Sequence, residues 1–346
     1  MLDLNASVLL IYTGGTIGMI EDPETGTLKP YDFSRLKKYV PELNRLKFNI
    51  ESIQFRQPID SSDMNPEQWK KIVRIIEENY NKYDGFVILH GTDTMAYSAS
   101  ALSFMLENLN KPVILTGSQL PIGKIRTDGK ENLITALEMA VDKDSDGNAF
   151  VQEVCIFFQN LLMRGNRTTK INAAYFKAFN SFNYPILAEA GTKIYYWHER
   201  IHRPLQESGP KFHYELDPNV AIVKIFPGMS PEILKSMIAI PHLRGIVLET
   251  YGAGNSPSQK WFLDIIEEAV NKGIVMIDVT QCNAGSVDMT RYQSGKALTD
   301  IGVISGYDIT TEAAVTKLMF LFGLGLDHRE VINKMKISIA GEATVE

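Results

Sequence analysis

Short apolar runs bounded by turn residues alternate with longer stretches of helical periodicity along most of the chain. This alternation is typical of βα units built around a parallel sheet. In the first half the runs are continuous, which predicts strands buried on both faces. We expect these strands at residues 7–13, 85–90, 112–116 and 154–159.

Stretches of helical periodicity separate these predicted strands. Asn65 and Pro66 form a typical cap and first-turn pair ahead of one helix. Two further helices are expected in the first half, at 97–107 and 131–141. The second half repeats the pattern over a shorter length, with predicted strands at 221–226, 245–250 and 274–279 and predicted helices at 259–271 and 312–324.

The length of 346 residues exceeds what one hydrophobic core usually organises, which favours two domains. Residues 192–218 are rich in proline, glycine and charge without a sustained period, which predicts an exposed linker. We therefore predict an α/β fold with a larger N-terminal domain at 1–191, whose sheet is doubly wound and mainly parallel. A smaller C-terminal α/β domain is expected at 219–346.

Composition and charge exclude several classes of partner. A net charge of −6 with scattered Lys and Arg argues against nucleic acid. The N-terminal residues lack a basic region, and no run approaches the roughly 18 apolar residues of a membrane span, so we expect neither an export signal nor a membrane partner. Two cysteines, Cys155 and Cys282, fit a reducing compartment. These features predict a cytoplasmic protein.

The residues that follow four of the predicted strands are unusual in composition. Ligands of open α/β sheets bind at the carboxyl ends of the strands, so these positions are the natural place for a site. Here glycines, which allow close approach of the backbone to a ligand, are combined with hydroxyls, one carboxylate and one lysine. The loops are TGGTIG at 13–18, HGTDT at 90–94, TGSQ at 116–119 and RGNRTTK at 164–170.

This combination suits acyl transfer, because backbone N–H groups stabilise an oxyanion and a hydroxyl attacks a carbonyl carbon. A hydroxyl needs a base or proton relay, and Thr92, Asp93 and Lys170 have the right chemistry, with Lys170 either neutral through burial or charged against Asp93. Each loop alone has a structural alternative: a βα turn with Thr16 as a cap, Asp93 as a helix cap, or Lys170 on a solvated face. Their occurrence at successive strand ends favours a catalytic site.

In this order, TGGTIG, HGTDTM, TGSQLP and RGNRTTK resemble the signature loops of the L-asparaginase family, and its bacterial cytoplasmic (type I) members in particular. Matching segments at 60–64, 251–255, 280–282 and 340–342 extend the resemblance over nearly the whole chain. The resemblance implies hydrolysis of L-asparagine to L-aspartate and ammonia through an acyl-enzyme, without a cofactor or a metal.

Carried over residue by residue, the resemblance implies that Thr16 is the nucleophile that attacks the side-chain amide. Thr92 matches the second threonine of the family's sites, and Asp93 and Lys170 complete the relay. Which of the two threonines attacks is an open question within the family, and we assign the attack to Thr16.

The resemblance also implies the substrate contacts. Asp60 and Ser61 match residues that hold the α-amino and α-carboxylate groups, with Thr92 and Asp93 sharing in binding, and Ser118 matches a backbone contact to the scissile amide. A site that offers carboxylates for one charge and hydroxyls or N–H groups for the other selects free amino acids over peptides. The alternative for Asp60 and Ser61 is an Asx turn.

One feature departs from the family pattern. Many members carry a tyrosine beside the nucleophile in the loop after the first motif, whereas this chain has Thr27 near that point. Tyr31 lies close by in sequence and Tyr307 lies in the second domain. We favour Tyr307 as the residue that assists Thr16, with a packed side chain before a helix as the alternative.

Some cytoplasmic members bind a second asparagine as an allosteric activator, near residues that match Asn255, Thr280 and Cys282. Glu249 stands where those enzymes carry an arginine, and its carboxylate would repel that of the effector. We therefore predict weak or absent activation. For Cys282 we favour the alternative of a small buried side chain after a strand.

Three competing functions are disfavoured. Residues 198–202 read HERIH, but the two histidines of a zinc HExxH motif need an α-helix, and Pro204 follows at once. Neither GxGxxG in the first loop nor GxxxxGK[ST] occurs, so nucleotide phosphates are unsupported. A related amidotransferase subunit carries an extra N-terminal domain, whereas the first motif here begins at Thr13, so we expect a stand-alone hydrolase.

Two further expectations come from the family alone. Asparagine is its usual substrate, while discrimination against glutamine depends on one methylene, worth about 1–3 kcal/mol. The resemblance also implies a homodimer or homotetramer (a dimer of dimers), with each site near an interface between subunits.

Overall fold

The computed structural model describes residues 6–21, 28–30, 36–204, 208–291 and 293–345. The chain divides into two compact units, Met1–Tyr214 and Glu215–Glu346. The division falls inside 192–218, the segment predicted as a linker, and two short strands at 194–196 and 211–212 also lie there. Each unit contains its own sheet and helices, which confirms the predicted α/β class.

The first unit holds most of the strands. Its α-helices are α1 (Leu36–Tyr39), α2 (Pro66–Asn79), α3 (Met95–Met105) and α4 (Gly129–Met139). Its strands are β1 (Ser7–Gly14), β2 (Met19–Glu21), β3 (Leu28–Pro30), β4 (Asn49–Ile59), β5 (Gly85–Leu89), β6 (Leu106–Glu107), β7 (Val113–Thr116), β8 (Val154–Phe158), β9 (Leu161–Arg164), β10 (Thr169–Lys170), β11 (Phe179–Asn180), β12 (Ala188–Ala190), β13 (Ile194–Tyr196) and β14 (Lys211–Phe212).

An eight-stranded sheet forms the centre of this unit, in the order β13-β12-β9-β8-β7-β5-β1-β4. The strands from β4 to β8 in this sheet run parallel, and β9, β12 and β13 extend it with antiparallel pairing. β4 lies on the far side of β1, whereas β5, β7 and β8 follow on the other side. The winding therefore reverses between β1 and β5, and in doubly wound sheets ligands bind in the crevice at such a reversal.

Burial and capping explain why these segments adopt the predicted elements. Every residue of β5, β7 and β8 is buried, as their continuous apolar runs require. α2 begins as predicted, because the Asn65 side chain accepts hydrogen bonds from the N–H groups of Glu67 and Gln68, and Pro66 occupies the first turn. Its buried face packs Trp69, Ile72, Val73 and Ile76.

The second unit is a smaller parallel sheet with helices. Its strands, in the order β15 (Val220–Lys224), β16 (Gly245–Thr250), β17 (Val275–Thr280) and β18 (Ile304–Ser305), are neighbours in the sheet, and the strands predicted at 221–226, 245–250 and 274–279 correspond to the first three. No helix in the described ranges is long and apolar enough to cross a bilayer. The elements are β15 (Val220–Lys224), α5 (Pro231–Ile238), β16 (Gly245–Thr250), α6 (Lys260–Asn271), β17 (Val275–Thr280), α7 (Gln293–Ile301), β18 (Ile304–Ser305), α8 (Thr311–Gly323) and α9 (His328–Met335).

Candidate active site

The loops that leave β1 and β5 touch through their glycines at the reversal of the sheet. Gly15 has a φ of 88°, and a Cβ added to it would lie 2.4 Å from the backbone nitrogen of Gly91. A Cβ on Gly91 would lie 2.5 Å from the Ser61 hydroxyl oxygen. Thr16 and Thr92 each follow directly after one of the touching glycines, so close backbone packing brings their loops together.

Thr16 opens a short 3-10 turn, Thr16–Gly18, and its side chain is partly exposed. Gly15 occupies the cap position, and no α-helix follows, so the alternative of Thr16 as a helix cap is wrong. The Tyr12 hydroxyl holds this turn in place, because it donates to the Gly18 carbonyl at 3.1 Å. Among the described residues, no side chain forms a hydrogen bond with the Thr16 hydroxyl.

Lys170 joins the HGTDT loop to the RGNRTTK loop. Its Nζ donates to Thr92 Oγ1 at 2.9 Å and to Asp93 Oδ1 at 2.6 Å. Its side chain is 18% exposed while that of Asp93 is 65% exposed, so the lysine does not lie on a solvated face. The N-cap position of α3 is Thr94, not Asp93. The structure thus brings together the three side chains predicted as a relay.

Asp60 and Ser61 lie beside the same loop. The Asp60 carboxylate is exposed, and its Oδ1 accepts from the Ser62 N–H at 3.0 Å, which is the Asx turn named as the alternative. The Ser61 side chain is buried, and its carbonyl accepts from the Thr94 hydroxyl at 2.6 Å. The turn therefore holds an exposed carboxylate in place next to the HGTDT loop.

Ser118 is buried at the end of β7, and its hydroxyl donates to the Leu120 carbonyl at 2.6 Å. Asp128, just before α4, accepts from the N–H of Gln119 at 2.9 Å and from that of Leu120 at 3.1 Å. The Gln119 side chain in turn accepts from the Thr92 hydroxyl at 3.4 Å. Asp128 thus keeps the TGSQ loop against the relay.

Sequence reasoning missed the buried and half-buried polar residues that support these loops. Besides Tyr12 and Asp128, Asn132 on α4 donates to the Gly117 carbonyl at 3.0 Å and accepts from the Gln159 N–H at 3.1 Å. Burial raises the pKa of Tyr12 to about 12, so its hydroxyl stays a neutral donor. One sequence signal could have found them: a polar residue stands where the apolar pattern of a helix or strand predicts a core-facing apolar one.

The HERIH segment forms a single 3-10 turn, His198–Arg200, followed by extended backbone at Ile201. Without an α-helical turn, the two histidines do not share a helix face. Within the ranges that the structure describes, no cluster of three or more His, Cys, Asp and Glu side chains is placed to hold a metal ion.

Both halves of the chain match one family. Residues 7–202 match the family described as Asparaginase, N-terminal, and residues 219–335 match the Glutaminase/Asparaginase C-terminal domain. The chain belongs to the asparaginase family.

Named relatives within the asparaginase family cover almost the full chain. L-asparaginase 1 of Escherichia coli (strain K12) is 43% identical over 342 residues, which are 98% of each chain. The crystal structure of L-asparaginase I from Vibrio cholerae is 40% identical with a TM-score of 0.89, covering 99% of this chain and 100% of that one. The thermostable L-asparaginase of Thermococcus kodakarensis is 36% identical with a TM-score of 0.88, covering 98% and 100%.

Of the two tyrosines considered as the residue that assists Thr16, the structure describes only Tyr307. Tyr307 lies in the second unit, between β18 and α8, with a φ of 54° and its N–H donating to Ser305 Oγ at 3.1 Å. It lines a cavity of about 590 Å³ in that unit, together with Asp308. Thr27 and Tyr31 lie outside the described residues.

The residues predicted for an allosteric site all lie in the second unit. Asn255 accepts from the Ser294 hydroxyl at 3.2 Å, and Thr280 Oγ1 accepts from the Cys282 N–H at 3.0 Å. The expectation of a buried Cys282 is wrong, since this side chain is exposed. β17 ends at Thr280, so Cys282 already lies in the turn beyond the sheet.

The Glu249 carboxylate forms an ion pair and a hydrogen bond within the second unit. Lys224 on the neighbouring strand lies 3.3 Å away, and the Thr311 hydroxyl donates to the carboxylate at 2.7 Å. The carboxylate is largely buried, with 13% of its side chain exposed.

Proposed function

We propose that this chain hydrolyses L-asparagine to L-aspartate and ammonia, with Thr16 as nucleophile and Thr92, Asp93 and Lys170 as the proton relay. Membership of the asparaginase family and the activities named for its relatives support the reaction and the substrate. The observation that carries the residue assignment is the 2.9 Å contact of Lys170 Nζ with Thr92 Oγ1, at the strand reversal where the chain also presents Thr16.

In the first step, Thr16 Oγ1 attacks the side-chain amide carbon of asparagine. The Thr16 hydroxyl loses its proton, and the amide nitrogen gains one as the C–N bond breaks and ammonia leaves. Thr92 takes up the first proton and gives its own to the leaving nitrogen, while Lys170, held by Asp93, donates to the Thr92 oxygen throughout. The product is an aspartyl ester of Thr16.

In the second step, water attacks the ester carbonyl carbon. Its proton returns through Thr92 to Thr16, the ester C–O bond breaks, and aspartate is released. Backbone N–H groups of the glycine loops stabilise the negative oxygen that forms in both steps. The relay therefore returns to its starting state after each turnover.

Binding of the substrate is assigned to Asp60, Ser61 and Ser118, together with Thr92 and Asp93. The exposed Asp60 carboxylate is suited to the α-ammonium group, because an ionised partner gives a strong hydrogen bond. The Ser118 backbone is assigned to the scissile amide. Assistance from Tyr307, a cytoplasmic location and a homo-oligomeric state stay predictions.

The test is ammonia release from L-asparagine and L-glutamine by the wild type, Thr16→Ala and Thr13→Ser. Thr13 is the matched control in the same motif, because its hydroxyl donates to the Leu89 carbonyl at 2.9 Å and serine preserves that bond. We expect wild-type release from asparagine, a loss of about a thousandfold or more in Thr16→Ala, and a near-normal rate in Thr13→Ser. Full activity of Thr16→Ala would contradict the assignment of Thr16 as nucleophile. A wild type that releases no ammonia from asparagine would contradict the assignment of asparagine as substrate.

A further inference from the structure

A buried chain of hydrogen bonds ends at the residue before Thr92. Trp69 Nε1 donates to Ser98 Oγ at 2.8 Å, and Ser98 Oγ lies 2.8 Å from His90 Nε2. The other ring nitrogen, Nδ1, lies 2.6 Å from the Gly91 carbonyl oxygen. Ser98 and His90 are fully buried and Trp69 nearly so, so no solvent competes for these bonds.

The chemistry of the two ends fixes the direction of the chain. The Trp69 indole can only donate and the Gly91 carbonyl can only accept. His90 Nδ1 must therefore carry a proton, and Nε2 of the neutral ring accepts the proton of the Ser98 hydroxyl. Burial lowers the pKa of His90 to about 4, in agreement with a neutral ring near neutral pH. Every donor and acceptor in this chain is satisfied by one tautomer.

This tautomer holds the peptide between Gly91 and Thr92 in one orientation. The peptide is planar and trans, so fixing the carbonyl oxygen also fixes the direction of the Thr92 N–H and limits the Thr92 backbone. The Thr92 hydroxyl must meet Lys170 Nζ at 2.9 Å, and a small rotation of this peptide would move it away.

We propose that His90 is a positioning residue. Its neutral ring, protonated at Nδ1 and hydrogen-bonded to the Ser98–Trp69 pair, keeps the Thr92 hydroxyl within hydrogen-bond distance of Lys170. The inference rests on the proposed function. A histidine in a hydrolase motif is an obvious candidate for a general base, but here both ring nitrogens are engaged and the ring has no exposed edge. His90 therefore acts through the backbone and carries no proton during the reaction.

Two amide substitutions separate the functions of the two ring nitrogens. His90→Asn places an N–H donor near the position of Nδ1, and His90→Gln places its amide near Nε2. Both variants lose part of the buried chain, but only His90→Asn keeps a donor for the Gly91 carbonyl. We expect kcat for asparagine within about threefold of wild type in His90→Asn and about tenfold or more lower in His90→Gln, with KM nearly unchanged in both.

Thermal unfolding of both variants is the control for a merely structural role, which would lower their stability and activity in parallel. Equal kcat values in the two variants, with an active wild type, would overturn the positioning role alone. A wild type that does not hydrolyse asparagine would overturn the proposed function and the positioning role together. The two failures are thus distinguishable.

A second measurement needs no variant to be active. Nitrogen NMR of the histidine rings of the wild type, with His90→Asn used to assign the signal, reports which nitrogen carries the proton. We expect the Nδ1–H form of His90 at all values from about pH 5 to about pH 9. An Nε2–H ring, or a ring that takes up a second proton near its ordinary pKa, would overturn the inference.

Discussion

The side-chain nitrogen Nζ of Lys170 lies 2.9 Å from the Thr92 hydroxyl oxygen, although 78 positions separate the two residues in the chain. If Lys170 supports proton transfer through Thr92, Lys170→Met should lower kcat by about a thousandfold while retaining the fold. Steady-state ammonia release and thermal unfolding check this expectation. Lys177→Met, which removes an exposed lysine from the same region, is the control and should leave kcat unchanged.

The contact between Gly15 and Gly91 gives a prediction with a matched glycine. Gly15 and Gly147 both have positive φ angles, 88° and 81°, so an alanine is strained at both, and the ψ of 168° at Gly15 lies in a region that is populated almost only by glycine. Only at Gly15 does a Cβ meet another backbone, since nothing lies within 4 Å of a Cβ at Gly147. We expect Gly15→Ala to lose clearly more unfolding free energy and to lower kcat more than about tenfold. Equal effects of the two substitutions in denaturant titrations and assays would show that the loop contact is unimportant.

Much of the fold was predictable because its central strands are continuous apolar runs, as in β5 and β8. The long strand β4 was missed for the opposite reason. It forms an edge of the sheet, and most of its side chains, among them Glu51 and Arg56, are exposed, so its sequence lacks an apolar run. α5, α7 and α9 are helices of only eight or nine residues, which is too short for periodicity alone to distinguish a helix from other apolar patterns.

The site was predictable only as far as the side chains follow strand ends. Thr16 and Thr92 were found in this way, because parallel strands bring their carboxyl ends to one edge. The same expectation was wrong for the loop of Lys170, which follows β9, a strand antiparallel to β8 that was not predicted. His90 and Tyr12 support the loops from inside the core, and sequence alone does not show which carbonyl a buried donor will reach. The exposure of Cys282 was missed because the end of β17 could not be fixed to one residue from its apolar run.

Asp278 gives a prediction about stability and pH. Its Oδ1 accepts from the Thr250 hydroxyl at 2.6 Å, while among the described residues its buried Oδ2 has no hydrogen-bond partner. Burial raises its pKa from 3.8 to about 7. The folded state therefore binds this proton more firmly than the unfolded state, so stability falls as pH rises between these values and the full cost, roughly 4 kcal/mol, remains above pH 7.

Asp278→Asn removes this titration and keeps an acceptor for Thr250. The melting temperature of the variant relative to wild type should therefore rise between about pH 5 and about pH 8. Asp264→Asn is the control, because Asp264 is 53% exposed in a surface pair with Lys260. A gap between Asp278→Asn and wild type that is the same at both pH values would contradict the assignment.

Glu249 gives a prediction about the form of the rate curve. Its carboxylate is held by Lys224 and Thr311, so it is expected to disfavour an anionic effector in the second unit. Initial rates should rise hyperbolically with asparagine concentration. A strongly sigmoidal wild-type curve would show that activation exists despite this residue.

The central claim is that Thr16 forms the covalent bond to the substrate. It is tested most directly by mixing wild-type protein with L-asparagine, quenching in acid during turnover, and locating the aspartyl ester by peptide fragmentation in a mass spectrometer. We predict an ester on Thr16 in the wild type during turnover and no ester in Thr16→Ala. An ester on Thr92, with Thr16 unmodified, would contradict the account.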